Sequence, residues 1–306
     1  PLHHLWQRPN NPYLLDDFLS DTSKGHRIVS SVAVECGAMY RQTGPLELRP
    51  VGETEFLEEI GRENVRVNHA TTAVAGIVAY ADLALSDAVT GVLEAHLKAS
   101  PDRLRGIRYS TMWDSSDSFR SVPCAGLLQD AAVRRGLECL QPLGLSFDAW
   151  VYHPQLPELI ELARNSPDTL IILNHIGGPL GLGPYKNQRN EVFRAWSADI
   201  STLSSCPNVA LKLGGVGSLR SGYNWQTREP KPDSAELAEA MRPYFELCIE
   251  KFGPERCMFE SNFPVDRRSY SYAAIWDAFK TIARGYSDGE RAALFHETAT
   301  RLYRLA

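Results

Sequence analysis

The sequence predicts an α/β fold, a closed (β/α)8 TIM barrel built as one domain over residues 1–306. Three observations lead there. Short apolar runs rich in Val, Ile and Leu recur eight times along the chain. Each is followed by a longer stretch of helical spacing, the pattern of parallel strands joined by crossover helices. At 306 residues, with 43% hydrophobic and 23% charged side chains, the chain has the interior such a barrel needs. Finally, no GxGxxG follows the first run, which leaves the rival, an open doubly wound sheet, without its usual mark.

In order, the apolar runs are HHLW near the start, IVSSVAVE (28–35), AGIVAYAD (75–82), RGIRYST (105–111), LSFDAWV (145–151), TLIILNH (169–175), NVALKLG (208–214) and CMFESNF (257–263). Between them lie helical patterns starting at Glu53, Ser86, Leu127, Leu156, Asn190 and Ser234. Ser86 with Asp87 reads as an N-cap, and Gly253 followed by Pro254 as a helix stop. Two more helices, SYAAIWDAFKTIARG and DGERAALFHETATRLYRL, follow the eighth run and cover the outside and floor. The segment from Pro9 to Gly25, together with GLGPYKNQRN and GSLRSGYNWQTREPKPDS, reads as long polar loops of the kind that shape pockets.

The formal net charge is -5, and no Lys/Arg block forms a footprint for nucleic acid. No apolar run approaches the ~18–20 residues that cross a bilayer, and no secretory signal pattern opens the chain. The expectation is a cytoplasmic protein acting on a small molecule, with homo-oligomer formation left open. Six cysteines without CxxC spacing read as buried free thiols.

In a parallel barrel, chemistry gathers at the C-terminal strand ends. Those ends carry His4, Glu35, Asp82, Arg108, the stretch Asp148 to His153, His175, Lys212, and the group Glu260, Asn262 and Asp266. On an extended strand His3 and His4 face opposite sides, so His4 shares its face with Leu2. Several of these residues also have structural readings. His4 is a core histidine in one; Glu35 pairs with Arg41 or Arg108; Lys212 pairs with Glu260; Asp266 is either a general base or a helix cap. His26, His69 and His96 read as surface or helix residues, and His296 as packed. Tyr40, Trp113, Tyr152, Tyr185, Tyr223 and Trp225 fall in strand-end loops, where they either line a pocket for a flat or cyclic substrate or simply cover apolar surface.

The segments HHLW, FDAWVYHPQL, LNHIGGPLGLGPY, LKLGG and RCMFESNFPVD resemble the amidohydrolase superfamily, in its branch of amidohydrolase-related TIM-barrel hydrolases that includes dicarboxylate and sugar lactonases. The resemblance runs essentially from end to end, and HIGGP and ESNFPVD are its most specific parts. It implies an HxH at the first strand end, a DH pair at the sixth and an SD pair at the eighth. The second His of HxH falls on His4, the sixth-strand His on His175 and the eighth-strand acid on Asn262. Leu2 takes the place of the first His, and Asn174 that of the sixth-strand Asp. Leu2 has no lone pair and Asn262 no charge, so two metal donors are lost. If a zinc ion is bound, His4, His153 and His175 are its ligands; without one, the resemblance implies lactonase chemistry carried by the protein's own groups.

On that reading water is prepared by Asp266 or a histidine, His153 and His175 polarise the carbonyl, and Arg108 or Lys212 anchors an anionic group. Glu35, Tyr152 and Glu260 complete the substrate surroundings. The expected activity is hydrolysis of a lactone or related cyclic ester of a small carboxylated or aromatic-derived compound. The alternatives are a metal-dependent decarboxylase or other carbon–carbon lyase, and a barrel that binds a ligand without turning it over.

Overall fold

A computed structural model gives the fold and describes residues 13–67, 69–116 and 119–305. Seven strands fall where seven of the eight apolar runs predict them. They are β1 (Ser30–Val34), β2 (Thr72–Ala79), β3 (Leu104–Ser110), β4 (Ser146–Trp150), β5 (Ile171–Leu173), β6 (Val209–Leu213) and β7 (Cys257–Phe259). The run HHLW, with Leu2, His3 and His4, lies outside the described residues. The seven strands form one sheet in chain order, and the β1–β2, β2–β3, β5–β6 and β6–β7 pairings are parallel. Strands covered on both faces need not alternate; every residue of β5, β6 and β7 is buried.

The helices are α1 (Leu15–Thr22), α2 (Val51–Arg66), α3 (Val89–Ala99), α4 (Ala131–Glu138), α5 (Leu156–Asn165), α6 (Arg189–Leu203), α7 (Ser234–Phe252), α8 (Tyr272–Ile282), α9 (Asp288–Ala292) and α10 (Thr298–Leu302). Asp130, Asp233 and Ser271 cap α4, α7 and α8 with side-chain oxygens, and Gly253 closes α7 at φ 80°.

Several expectations change. Pro9 to Gly25 is not all loop, because α1 forms within it, its first turn carrying Asp16 and Asp17. Ser86 is no N-cap: its φ is 56°, and α3 starts after Ala88 without a side-chain cap. The final helical pattern is split by a π-turn at Ala293–Glu297 between α9 and α10, which leaves His296 exposed instead of packed. Of the six thiols Cys36, Cys206, Cys248 and Cys257 are buried, but Cys139 is half-buried and Cys124 exposed.

The chain divides into two compact units. The first holds the residues up to Tyr109, Asp130–Asp148 and the stretch from Tyr303. Inside it, buried Glu53 of α2 accepts from the backbone N–H groups of Cys36, Gly37 and Ala38 and from the Cys36 thiol, fixing the turn after β1. His96 of α3 is a buried helix residue. A backbone carbonyl only accepts, so Nε2 donates to Tyr80 O at 3.0 Å and Nδ1 accepts from the Thr54 hydroxyl at 2.7 Å. Burial lowers its pKa to about 4. The second unit, Ser110–Gln129 with Ala149–Leu302, carries the polar ends of β5, β6 and β7.

Candidate active site

After β5 the chain turns through Asn174, His175 and Ile176. His175 and Ile176 hold φ values of 54° and 51°, in the left-handed region that side chains disfavour. Such backbone persists only where its surroundings fix it, and it gathers at functional sites. Here fully buried Trp196 of α6 donates its indole N–H to Ile176 O at 2.7 Å. Gly178 donates its N–H to His175 O at 3.0 Å. Glu260, just past β7, accepts from the His175 backbone N–H at 3.2 Å and meets ring Nδ1 at 2.5 Å.

A carboxylate only accepts, so Nδ1 carries a proton, and in the neutral ring it is Nε2 that keeps the lone pair. The edge of Trp150, from the end of β4, meets the His175 ring with centroids 5.1 Å apart. Gly215 completes the seat. Its φ is +69°, and a Cβ there would come within 2.6 Å of His175 Cβ and closer still to the ring.

A second group joins the first from beyond β7. Asn262, at φ 51°, donates its amide to Asp266 Oδ1 at 3.0 Å. Asp266 Oδ2 accepts from the Tyr270 hydroxyl at 2.6 Å and from Gly217 N–H at 3.2 Å. Complete burial pushes the Asp266 carboxyl up to about 6, against the pull of the Tyr270 hydroxyl, of His175 and of its other donors. The expected alternative role for Asp266 as cap of the following helix does not hold, since Ser271 caps α8. A Cβ on Gly217 would lie 2.6 Å from Asp266 Cγ and 2.8 Å from Tyr270 Cε1.

The remaining candidates separate. Lys212 of β6 donates to Asn174 Oδ1 at 3.1 Å, and the Asn174 amide donates to Ile172 O at 3.2 Å. Asn174, where the family pattern has Asp, therefore ties β5 to β6. His153 accepts the Leu180 N–H on Nδ1 at 3.3 Å, which makes it an Nε2–H tautomer. Burial lowers its pKa to about 4, with Asp114 opposing, so the ring is neutral near pH 7. Its ring stands edge-on to Tyr185 at 5.0 Å, beside a buried cluster of Met112, Phe119, Tyr152 and Leu180 against which Trp150 also packs. In the first unit Arg108 does not stand open as an anion anchor. Its Nε donates to Glu35 Oε1 at 2.7 Å and its NH2 group to Glu35 O, the ion pair that was one reading of Glu35.

The second unit thus holds His175 with Glu260 and Asn262 with Asp266, and the His153 backbone N–H donates to Gly178 O, beside the His175 turn, at 3.4 Å. Trp150, Gly215 and Gly217 lie inside segments read as a strand end, a family-like run and a polar loop, with no role of their own, and Tyr270 is not put forward at all. The spacing of Tyr270 four residues after Asp266, and the GGVG run after β6, are the signals that point to three of them. The described residues do not assemble a donor set for a divalent metal. They contain no group of three such side chains, both Asp266 oxygens are filled by hydrogen-bond donors, and the Asn262 amide is turned to Asp266. His4, the remaining ligand candidate, lies outside them.

A carboxylate-held histidine and further polar groups at the C-terminal ends of parallel strands stand where enzymes of this fold class carry their chemistry. The amidohydrolase family model matches residues 48–305, and the chain belongs to that family. It is 36% identical over 298 residues to the uncharacterized protein y4mH of Sinorhizobium fredii, spanning 97% of this chain and 87% of that one. It is 28% identical over 283 residues to the L-fucono-1,5-lactonase of Burkholderia ambifaria, spanning 88% and 87%. In fold it is similar to an amidohydrolase of Burkholderia multivorans solved with bound zinc. That likeness has a TM-score of 0.73 at 24% identity and covers 97% of this chain and 90% of the other.

Proposed function

We propose that this amidohydrolase opens a lactone or related cyclic ester with water as nucleophile, on a sheet that closes as an eight-stranded barrel. The observation that carries the reading is the 2.5 Å contact between Glu260 Oε1 and His175 Nδ1. It leaves Nε2 as a base whose positive charge, once a proton arrives, is met by a fixed carboxylate.

In the ring-opening step Nε2 takes a proton from water while the water oxygen bonds to the ester carbonyl carbon. The carbonyl electron pair moves onto its oxygen, where the neutral Nε2–H of His153 donates a hydrogen bond. The tetrahedral intermediate then collapses, the ring C–O bond breaks, and the imidazolium returns its proton to the departing alkoxide. The product is the open hydroxy acid. Asp266 serves as a positioning residue: its oxygens hold the Asn262 amide and the Gly217 N–H, which keeps the β7 end in register with the glycine run that seats His175.

Kinetics on a sugar δ-lactone test the reading. His175→Ala is expected to abolish turnover while circular dichroism stays native; a folded His175→Ala that still opens the lactone at the wild-type rate rejects it.

A further inference from the structure

The two cations at strand ends that the sequence puts forward as anion anchors are both engaged: Arg108 with Glu35 and Lys212 with Asn174. A third cation lies in the long loop after β6. Arg220 sits in the 3-10 turn Leu219–Ser221, and its backbone is pinned on both sides. Its N–H donates to Ser218 Oγ at 3.3 Å, and its carbonyl accepts Gly181 N–H at 2.8 Å. The guanidinium is partly buried and lies 5.7 Å from the centroid of the Tyr152 ring. It makes no ion pair or hydrogen bond with any described residue. The neighbouring cations of this loop differ: Arg228 pairs with Glu236, and Lys231 pairs with Glu229 at 3.1 Å.

Placement aims this charge at the chemistry. Trp150 and Tyr152 are two apart in extended chain, so their rings leave the strand end on the same side. Trp150 meets the His175 ring and Tyr152 carries Arg220. A chain of ring contacts thus runs from the histidine base to a guanidinium with no ion-pair partner among the described residues, and a flat or cyclic molecule that reaches both ends meets the base at one and the charge at the other. A guanidinium over an aromatic ring, partly out of water, takes a carboxylate in a two-point hydrogen bond more strongly than a solvated cation does.

We infer that Arg220 binds a carboxylate carried by the substrate away from its reacting ester, so that the preferred substrates are cyclic esters bearing an acid group. This rests on the lactone-hydrolase reading for the reaction, while the binding half of the test stands apart from it. Calorimetric titration with benzoate and with its neutral isostere benzamide is done on the wild type, Arg220→Met and Arg220→Lys, each checked for native circular dichroism. The wild type is expected to bind benzoate at least about tenfold more tightly than benzamide, Arg220→Met to lose that preference, and Arg220→Lys to keep part of it.

A matched pair of sugar δ-lactones, one ending in hydroxymethyl and the other oxidised there to carboxylate, gives the kinetic half. The ratio of acidic to neutral kcat/KM is expected to fall about 10- to 100-fold in Arg220→Met, chiefly through KM. A wild type indifferent to the benzoate charge, or a preference that survives in folded Arg220→Met, overturns the assignment. If neither lactone is opened, the hydrolase reading fails, and the benzoate titration still decides Arg220.

Discussion

Glu260→Gln isolates the charge behind the proposed base. Gln keeps the size of the side chain and an oxygen that accepts from Nδ1–H, so the seat of His175 survives while the negative charge goes. While the ring carries no positive charge, little is lost. Once Nε2 has taken a proton from water, the imidazolium faces a carboxylate whose Oε1 stands 2.5 Å from Nδ1. With charge centres about 4 Å apart and an effective dielectric of about 20, that pair is worth about 4 kcal/mol. Each 1.36 kcal/mol is a factor of ten, so kcat on a sugar δ-lactone is expected to fall about a thousandfold with KM nearly unchanged. Acid release, followed with a pH indicator, measures it. Adding Glu260→Gln to His175→Ala is expected to change nothing further, because the charge acts through the ring. A folded Glu260→Gln enzyme within about threefold of wild-type kcat would refute the dyad.

Other consequences concern packing, pH and metal. Gly215→Ala is expected to displace His175 and cut kcat by about 100-fold or more, whereas Gly217→Ala, pressing on buried Asp266 and Tyr270, is expected to cost about 1–3 kcal/mol of stability by urea unfolding. His96 has its pKa lowered by burial from 6.5 to about 4, so it favours the folded state fully above pH 6.5 and loses that as pH falls toward 4. His96→Gln is expected to remove about 3 kcal/mol of acid sensitivity across that window. Asp266 works in the opposite direction. Burial raises its carboxyl from 3.8 to about 6, so its favourable contribution is present below pH 3.8 and is lost as pH rises through 6. Relative to wild type, Asp266→Asn is expected to gain about 3 kcal/mol between pH 4 and pH 7 in the same unfolding assay. Exhaustive dialysis against a chelator is expected to leave lactone turnover intact; activity that vanishes and returns with zinc would show that the region around His4 completes a metal site.

Strand and helix order was readable because hydrophobic periodicity is a local property. Runs such as NVALKLG and CMFESNF contain short apolar stretches, and β6 and β7 formed on them. The helix ends were less legible. Nothing adjacent to Ser86 reveals that its φ turns positive, and nothing in DGERAALFHETATRLYRL marks the π-turn, since both depend on what the segment packs against. At the site, the HIGGP and ESNFPVD segments pointed to His175 and Asn262 through resemblance, but they did not say that Glu260 is the partner of His175.

By itself, the sequence determined the α/β class, the family and the list of polar strand ends, because alternation, helical spacing and motif are written along the chain. Tertiary structure alone decided the pairing: Arg108 with Glu35, Lys212 with Asn174, His175 with Glu260 across 85 positions, Asp266 with the Gly217 N–H. The physical reason is that a charge is neutralised or left open by whatever lies within a few ångströms of it. Distance through space is fixed by strand register and by the glycines that let side chains approach, neither of which is encoded at the residue concerned.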